Sequence, residues 1–322
     1  MQLFDLHCDT LYECYETGQS LRRNTLCIDR EKADRYEQYT QVFALFCGAR
    51  PPIPMPERRL LFDVPPKRRL DALLETARRE FAENADWLAL CRDMEDWAWA
   101  RAHGKKAAFL SIEGAELLEA SGALDRAYDA GVRLVTLAWN RANAYACGAA
   151  ENNDQPLTPA GKELVQELVR RGIILDVSHL SEAGFWDVCV QTEAPFAATH
   201  SNSRACCDHV RNLTDLQFQE ILRRGGLVGI NLYSPFLRDD GAQAQIDDVL
   251  RHIDHFLSLG GQDCLALGAD FDGCDSTPEG LQTVADMENL AEAMLSHGYA
   301  QSIVNSLFFD NAAAFFTRML NL

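Results

Sequence analysis

His7 and Asp9 stand one residue apart in the segment FDLHCDTL, and that spacing is the first sign of metal chemistry in this 322-residue chain. Residues i and i+2 of a strand project to the same face, so an imidazole and a carboxylate can converge on one point. A lone H-x-D pair also recurs by chance or caps a turn. Four further apolar runs, however, lead into residues of the same kind: Glu113 after AAFLSI, His179 after IILDVS, His200 after PFAAT and Asp270 after CLALGA. Strands reaching solvent would explain one or two such residues, but poorly explain all of them together. Imidazole nitrogen and carboxylate oxygen suit zinc or a similar first-row ion, manganese and iron included. His7, Asp9, Glu113, His179 and His200 make a larger ligand set than one catalytic zinc usually takes from protein. Two divalent ions sharing a bridging carboxylate would use them all, polarising a carbonyl and supplying hydroxide at neutral pH.

These residues need a scaffold that brings distant strand ends together. Short apolar runs alternate with longer amphipathic stretches, the pattern of repeated β-α units around a parallel sheet. The runs that read as strands are 2–7, 41–47, 107–112, 132–138, 173–178, 195–199, 227–232 and 264–269. Stretches with helical periodicity include 67–89, 159–171, 214–224 and 245–258. Eight strands in this length suit a closed (β/α)8 TIM-like barrel, and no linker or repeat divides the chain, so residues 1–322 read as a single catalytic domain. The Pro-rich segment ARPPIPMPERRLLFDVPP and the segment CGAAENNDQPLTPAG read as loops on the C-terminal side of the barrel, where such folds build active sites. His252 and His255 lie three apart on a predicted helix and read as a solvated face, while His103, His209 and His297 carry no assigned role.

The net charge of −18 and pI near 4.8 argue against nucleic acid and anionic membrane surfaces as partners. No stretch approaches the roughly 20 apolar residues of a membrane-spanning helix. The first residues, MQLFDLHCDTLYEC, lack the basic-then-apolar pattern of a secretory signal. Eleven cysteines without a C-x-x-C pair read as reduced thiols of a cytoplasmic protein. The expected partner is a small molecule, and the oligomeric state stays open between monomer and homodimer.

Beyond the strand-end residues, the motifs FDLHCDTL, QVFALF, SIEG, GVRLVTL, LDVSHLS, THSNSRACCDHVRN, GINLY and GADFDG followed by PEGL resemble the membrane (renal) dipeptidase family. These are microsomal-dipeptidase-like metallopeptidases of the amidohydrolase superfamily, and the likeness runs from the first strand to about residue 281. It implies a binuclear zinc barrel that hydrolyses dipeptides, including some with a C-terminal D-residue. Carried over by motif, His7, Asp9 and Glu113 would hold one metal, and Glu113, His179 and His200 the other, with Glu113 bridging. Asp270 matches the family's acid/base carboxylate, with Asp272 as second choice. Arg211 matches the arginine that grips the substrate carboxylate, a task suited to its rigid fork, and Tyr233 matches a residue nearby.

One position departs from that pattern. Where animal members carry a histidine after GVRLVTL, this chain has Trp139, followed by Asn140 and Asn143. Indole donates one hydrogen bond but cannot become cationic. The expectation is that Trp139 shapes the pocket and that Asn140 or Asn143 supplies the donor. SIEG also continues as Ala115-Glu116, without the Gly-His expected from the animal enzymes. Two other functions fit the same residues: an amidohydrolase for another small amide, such as an N-acyl amino acid, and a metal-binding homologue without turnover.

Overall fold

The computed structural model describes residues 1–49, 55 and 57–320. Its strands are β1 (Gln2–Cys8), β2 (Gln38–Phe46), β3 (Leu88–Leu90), β4 (Lys106–Glu113), β5 (Val132–Thr136), β6 (Ile174–Asp176), β7 (Ala197–Ala198), β8 (Leu227–Ile230) and β9 (Leu265–Leu267). All pairings between them are parallel, and eight strands close a ring in the order β1-β2-β4-β5-β6-β7-β8-β9. Helices including Pro66–Glu83, Pro159–Arg170, Asp215–Arg223 and Ile246–Ser258 lie in the connections. The result is the (β/α)8 TIM-like barrel expected from the alternating pattern.

The ninth strand corrects one expectation. Helical periodicity in the sequence runs through residue 89, but the helix stops at Glu83 and Leu88–Leu90 pair with Lys106–Ala108 of β4. Asn84 makes the break: its side-chain Nδ2 donates to Glu80 O at 2.9 Å, and its Oδ1 accepts from Trp87 Nε1 at 2.8 Å. A three-residue run such as LAL has no period of its own, so only the pairing edge of β4 decides its state. Of the expected Pro-rich loop, residues 50–54 and 56 lie outside the described residues.

Inward positions change character along the barrel axis. Phe4, Val42, Phe109, Leu134, Ile174 and Leu227 form an apolar floor. The C-terminal helix Asn311–Leu320 caps it, with Phe316 4.7 Å from Phe4 and 4.9 Å from Phe109 between ring centroids. Above the floor, the alternation continues to Thr136, Asp176 and Glu113, so the same strand faces that bury Leu and Phe end in polar groups.

On β1 the alternation by itself gives the wrong answer. Phe4 and Leu6 pack into the barrel interior, which would aim Cys8 inward and His7 outward. The register between β1 and β2 shifts between Asp5↔Gln41 and Cys8↔Phe43, placing an extra residue on β1. This β-bulge re-aims the strand end: Cys8 packs with the outer core, and His7 Nε2 turns to within 3.6 Å of Glu113 Oε2.

The barrel is tight beneath the site. A Cβ at Gly268, just beyond β9, would lie 1.7 Å from the Thr199 carbonyl oxygen, a backbone atom that cannot swing away. Gly268→Ala should therefore destabilise the fold at or beyond the ~1–3 kcal/mol typical of overpacking. Gly172→Ala, at φ 67° with open space around it, should cost only about 1–2 kcal/mol of backbone strain. Urea unfolding of both variants checks the ranking, and equal losses would mean that the barrel yields at Gly268.

Candidate metal centre

Glu113, the last residue of β4, is 2% exposed and stands between two groups of donors. Its Oε2 lies 3.6 Å from His7 Nε2, and its Oε1 lies 2.9 Å from His179 Nε2 and 3.6 Å from His200 Nε2. His7 Nε2 is also 3.9 Å from Asp9 Oδ2 and 3.7 Å from Asp270 Oδ1. The structure thus brings all five expected ligands together, with Asp270 beside them. His7 Nε2, Asp9 Oδ1, Glu113 Oε2 and His200 Nε2 are buried atoms without a hydrogen-bond partner. Buried polar atoms are normally satisfied, so this convergence of unpartnered donors fits a cation site. Spacings of 2.9–3.9 Å between donors facing one point leave too little room for side chains and enough for ions.

Electrostatics points the same way. Burial, helped by the charge of Glu113, pushes Asp9 up to about 8. Burial and the nearby Arg211 hold His179 down at about 4, and burial holds His200 well below its usual value. His179 and His200 are therefore neutral, as metal ligation requires, whereas the burial of His7 is outweighed by the charges of Glu113 and Asp9, which hold it well above its usual value.

A second layer of contacts sets the ring orientations. Asp176 Oδ2 accepts from Thr136 Oγ1 at 2.7 Å and from Thr199 Oγ1 at 2.6 Å. With its only proton given to Asp176, Thr199 Oγ1 must accept from His200 Nδ1 at 2.8 Å, which leaves Nε2 as a bare lone pair aimed at Glu113. His179 Nδ1 lies 3.0 Å from Asn140 Oδ1. Asn231 Nδ2 donates to Asp270 Oδ2 at 2.9 Å and is itself anchored through the amide of Asn202. Thr199, Asp176, Asn231 and Asn202 were not singled out by the sequence. A signal was present for Asp176, a polar residue at the end of an apolar strand, and for Thr199 and Asn231, polar residues directly after β7 and β8.

The remaining expected residues divide. Arg211 is 5% exposed, donates to His200 O at 3.3 Å and stacks 5.3 Å from the Phe236 ring. No carboxylate among the described residues pairs with it, and burial pushes its guanidinium down to about 10. Tyr233 packs edge-on to the same Phe236 at 4.8 Å, so Arg211 and Tyr233 share one wall. Trp139 packs edge-on to Phe46 at 5.0 Å, on the opposite flank beside Asp9.

Three expectations need correction, those for Asn143, His252 and Asp272. Asn143 is unavailable as a donor, because its Nδ2 is spent on Glu116 Oε2 and Leu137 O, and its Oδ1 accepts from the backbone of Tyr145 and Ala146. Asn140 differs from it: its Oδ1 faces His179 Nδ1, and its Nδ2 has no partner among the described residues. His252 is wholly buried rather than solvated, accepting from Ser203 N at 3.1 Å. Asp272, the second choice for acid/base work, has both oxygens taken by Thr10 Oγ1 and Cys27 N.

The profile of the membrane dipeptidase family, peptidase family M19, matches residues 1–319. The chain belongs to that family. It is accordingly a metal-dependent dipeptidase by family. A crystal structure of a Rhodobacter sphaeroides metallopeptidase liganded with a phosphinate mimic of L-Ala-D-Ala is 29% identical, with a TM-score of 0.84 over 99% of both chains. A family M19 metallopeptidase described as dipeptidase AC is 28% identical, with a TM-score of 0.85 over 100% of this chain and 99% of that one. An uncharacterized Klebsiella pneumoniae protein from a pqqA 5′ region is 35% identical over 71% of this chain and 88% of its own length. A Schizosaccharomyces pombe protein described as an uncharacterized dipeptidase is 35% identical over 59% of this chain and 47% of its own.

Because Asn140 holds the His179 ring, Asn140→Ala should weaken metal binding by roughly 10–100-fold, the usual worth of such an outer contact. Metal titration followed by calorimetry measures it. Unchanged affinity with altered substrate turnover would instead make Asn140 a substrate contact.

Proposed function

We propose that this chain hydrolyses small dipeptides, including ones with a C-terminal D-residue, using two divalent ions, with zinc as the expected metal. The reading places His7, Asp9 and Glu113 around one ion and Glu113, His179 and His200 around the other. It takes residues 1–322 as one catalytic domain and the cytoplasm as its location, which its eleven free cysteines favour. No helix among the described residues is long and apolar enough to cross a membrane. The observation that carries the reading is the split of Glu113, whose two oxygens face different histidines. The D-residue is supported by the L-Ala-D-Ala mimic bound to the Rhodobacter sphaeroides relative.

Divalent ions held there would act as Lewis acids on the scissile carbonyl and would supply hydroxide at neutral pH. The chain's own residues do the rest. Arg211, buried and without a carboxylate partner, binds the substrate's C-terminal carboxylate through its fork, and Tyr233 closes the same wall. A buried guanidinium left alone is costly, so the substrate anion restores its balance. Asp270 takes a proton from the attacking water and returns it to the leaving amine. Asn231 holds Asp270 Oδ2 so that Oδ1 faces the site. Trp139 and Asn140 line the approach.

Two measurements test this. Asp270→Asn should keep both metals and lose roughly 10²–10⁴ in kcat, the worth of a general base, whereas Asp272→Asn should act through stability instead. A reversed ranking would place the proton carrier wrongly. Arg211→Lys keeps the charge but loses the fork, so it should raise KM for a free dipeptide far more than for its amidated form. A screen of dipeptides and N-acyl amino acids, run with and without chelator, reads the substrate class directly. Turnover confined to N-acyl amino acids would assign the site to another amidohydrolase, and metal binding without any turnover would leave a binding homologue.

A further inference from the structure

A cavity of about 400 Å³ opens beside Asp9 on the flank away from Arg211. Arg211 follows β7, which lies four strands from β2 in the ring of eight, so the Arg211 wall and the β2 end face each other across the barrel mouth. A dipeptide whose C-terminal carboxylate sits on Arg211 and whose amide sits among the donors must therefore extend its amino-terminal residue toward this cavity. The inner end of the cavity is Asp9, whose buried Oδ1 has no partner. Its apolar walls are Phe46, Trp139 and Leu60.

The outer end is charged. Glu13 lies one helical turn beyond Asp9, about 6 Å along the axis, with its amide bonded to Asp9 O at 3.0 Å. Its Oε1 pairs with Arg58 Nη2 at 2.5 Å, and Glu16 Oε2 holds the same nitrogen at 3.0 Å. Asp272 also lines the cavity, and Arg58 is the single cation among the described lining residues. Among the described lining residues carboxylates thus outnumber cations, around an aromatic sleeve.

We propose, resting on the dipeptidase reading, that this cavity takes the side chain of the substrate's amino-terminal residue and selects arginine or lysine there, with Glu13 meeting the cationic head. Aliphatic stems pack along Phe46 and Trp139, as long cationic side chains do on apolar surfaces. An acidic side chain would meet like charge, which suppresses wrong ligands. Arg58 competes with the substrate cation for Glu13 and so sets how strong the preference is.

The test compares kcat/KM for arginyl-alanine, alanyl-alanine and glutamyl-alanine on the metal-loaded enzyme. Arginyl-alanine should exceed glutamyl-alanine by roughly tenfold or more, a difference of about 1.4 kcal/mol. Glu13→Gln should shrink that ratio, and Arg58→Gln, which frees Glu13, should enlarge it. Opposite shifts from two variants of one ion pair cannot come from general destabilisation. A preference for glutamyl-alanine, which would set its carboxylate against the unpartnered Arg58 Nε, overturns the proposal. Equal effects of Glu13→Gln on all three substrates also overturn it, because Glu13 would then read the α-amino group. Turnover of alanyl-alanine without any preference sinks this inference alone, whereas no dipeptide turnover at all removes the dipeptidase reading and this inference with it.

Discussion

Carboxylates and imidazoles crowd into one buried space at the barrel mouth, and the rest of the structure answers to that constraint. A buried charge without a partner costs several kcal/mol. Glu113, His7 and His200 each hold a buried nitrogen or oxygen without a hydrogen-bond partner among the described residues. A cation between them turns that cost into binding energy, and binding energy into folded stability. The surrounding scaffold must then hold the donors apart, unprotonated and aimed, since any collapse of Glu113 onto one histidine would destroy the second half of the site. Asp176 performs much of this work from below. It accepts four hydrogen bonds, from Thr136 at the end of β5, Ser178 just past β6 and Thr199 just past β7, and thereby ties three strand ends to one carboxylate.

Backbone strain is concentrated in the same place. Among the described residues, His179, Asp270 and Asp272 alone adopt positive φ without being glycine, at 65°, 62° and 66°. Each costs of order 1–3 kcal/mol and persists only where neighbours over-determine it. His179 and Asp270 are among the groups that face Glu113 or His7, and Asp272 anchors the loop that carries Asp270. Gly273 completes the turn, for a Cβ there would meet Asp9 Oδ2 at 2.3 Å and Asp270 Oδ1 at 2.4 Å. The DFDG motif is therefore a backbone device as much as a set of side chains.

The chain's departures from the animal pattern are coupled. Glu116, where the resemblance leads one to expect Gly-His, lies in the loop next to that of Trp139, and its carboxylate holds Asn143 in the loop that follows Trp139. The indole then rests on Phe46 as a wall. This flank of the site is thus a packed aromatic ring followed by a loop that Glu116 braces through Asn143.

Much of this was legible in the chain itself. Alternating apolar runs and amphipathic stretches determine a parallel barrel, because each strand needs a buried face and each helix an apolar stripe. Ionisable residues at the ends of those runs mark the site, because a barrel rim is where apolar burial stops. Local patterns could not decide what depends on a neighbour. The strand Leu88–Leu90 exists because β4 offers an edge, and His7 faces inward only because a bulge against β2 adds a residue. Asn140 and Asn143 look alike in sequence, yet one holds a histidine and the other braces a loop. His252 lies on an amphipathic helix and is buried all the same, since Ser203 and Leu237 from other connections close over it. Periodicity records which side of an element is apolar. Which polar atoms meet is settled only when elements far apart in sequence are packed within hydrogen-bond distance.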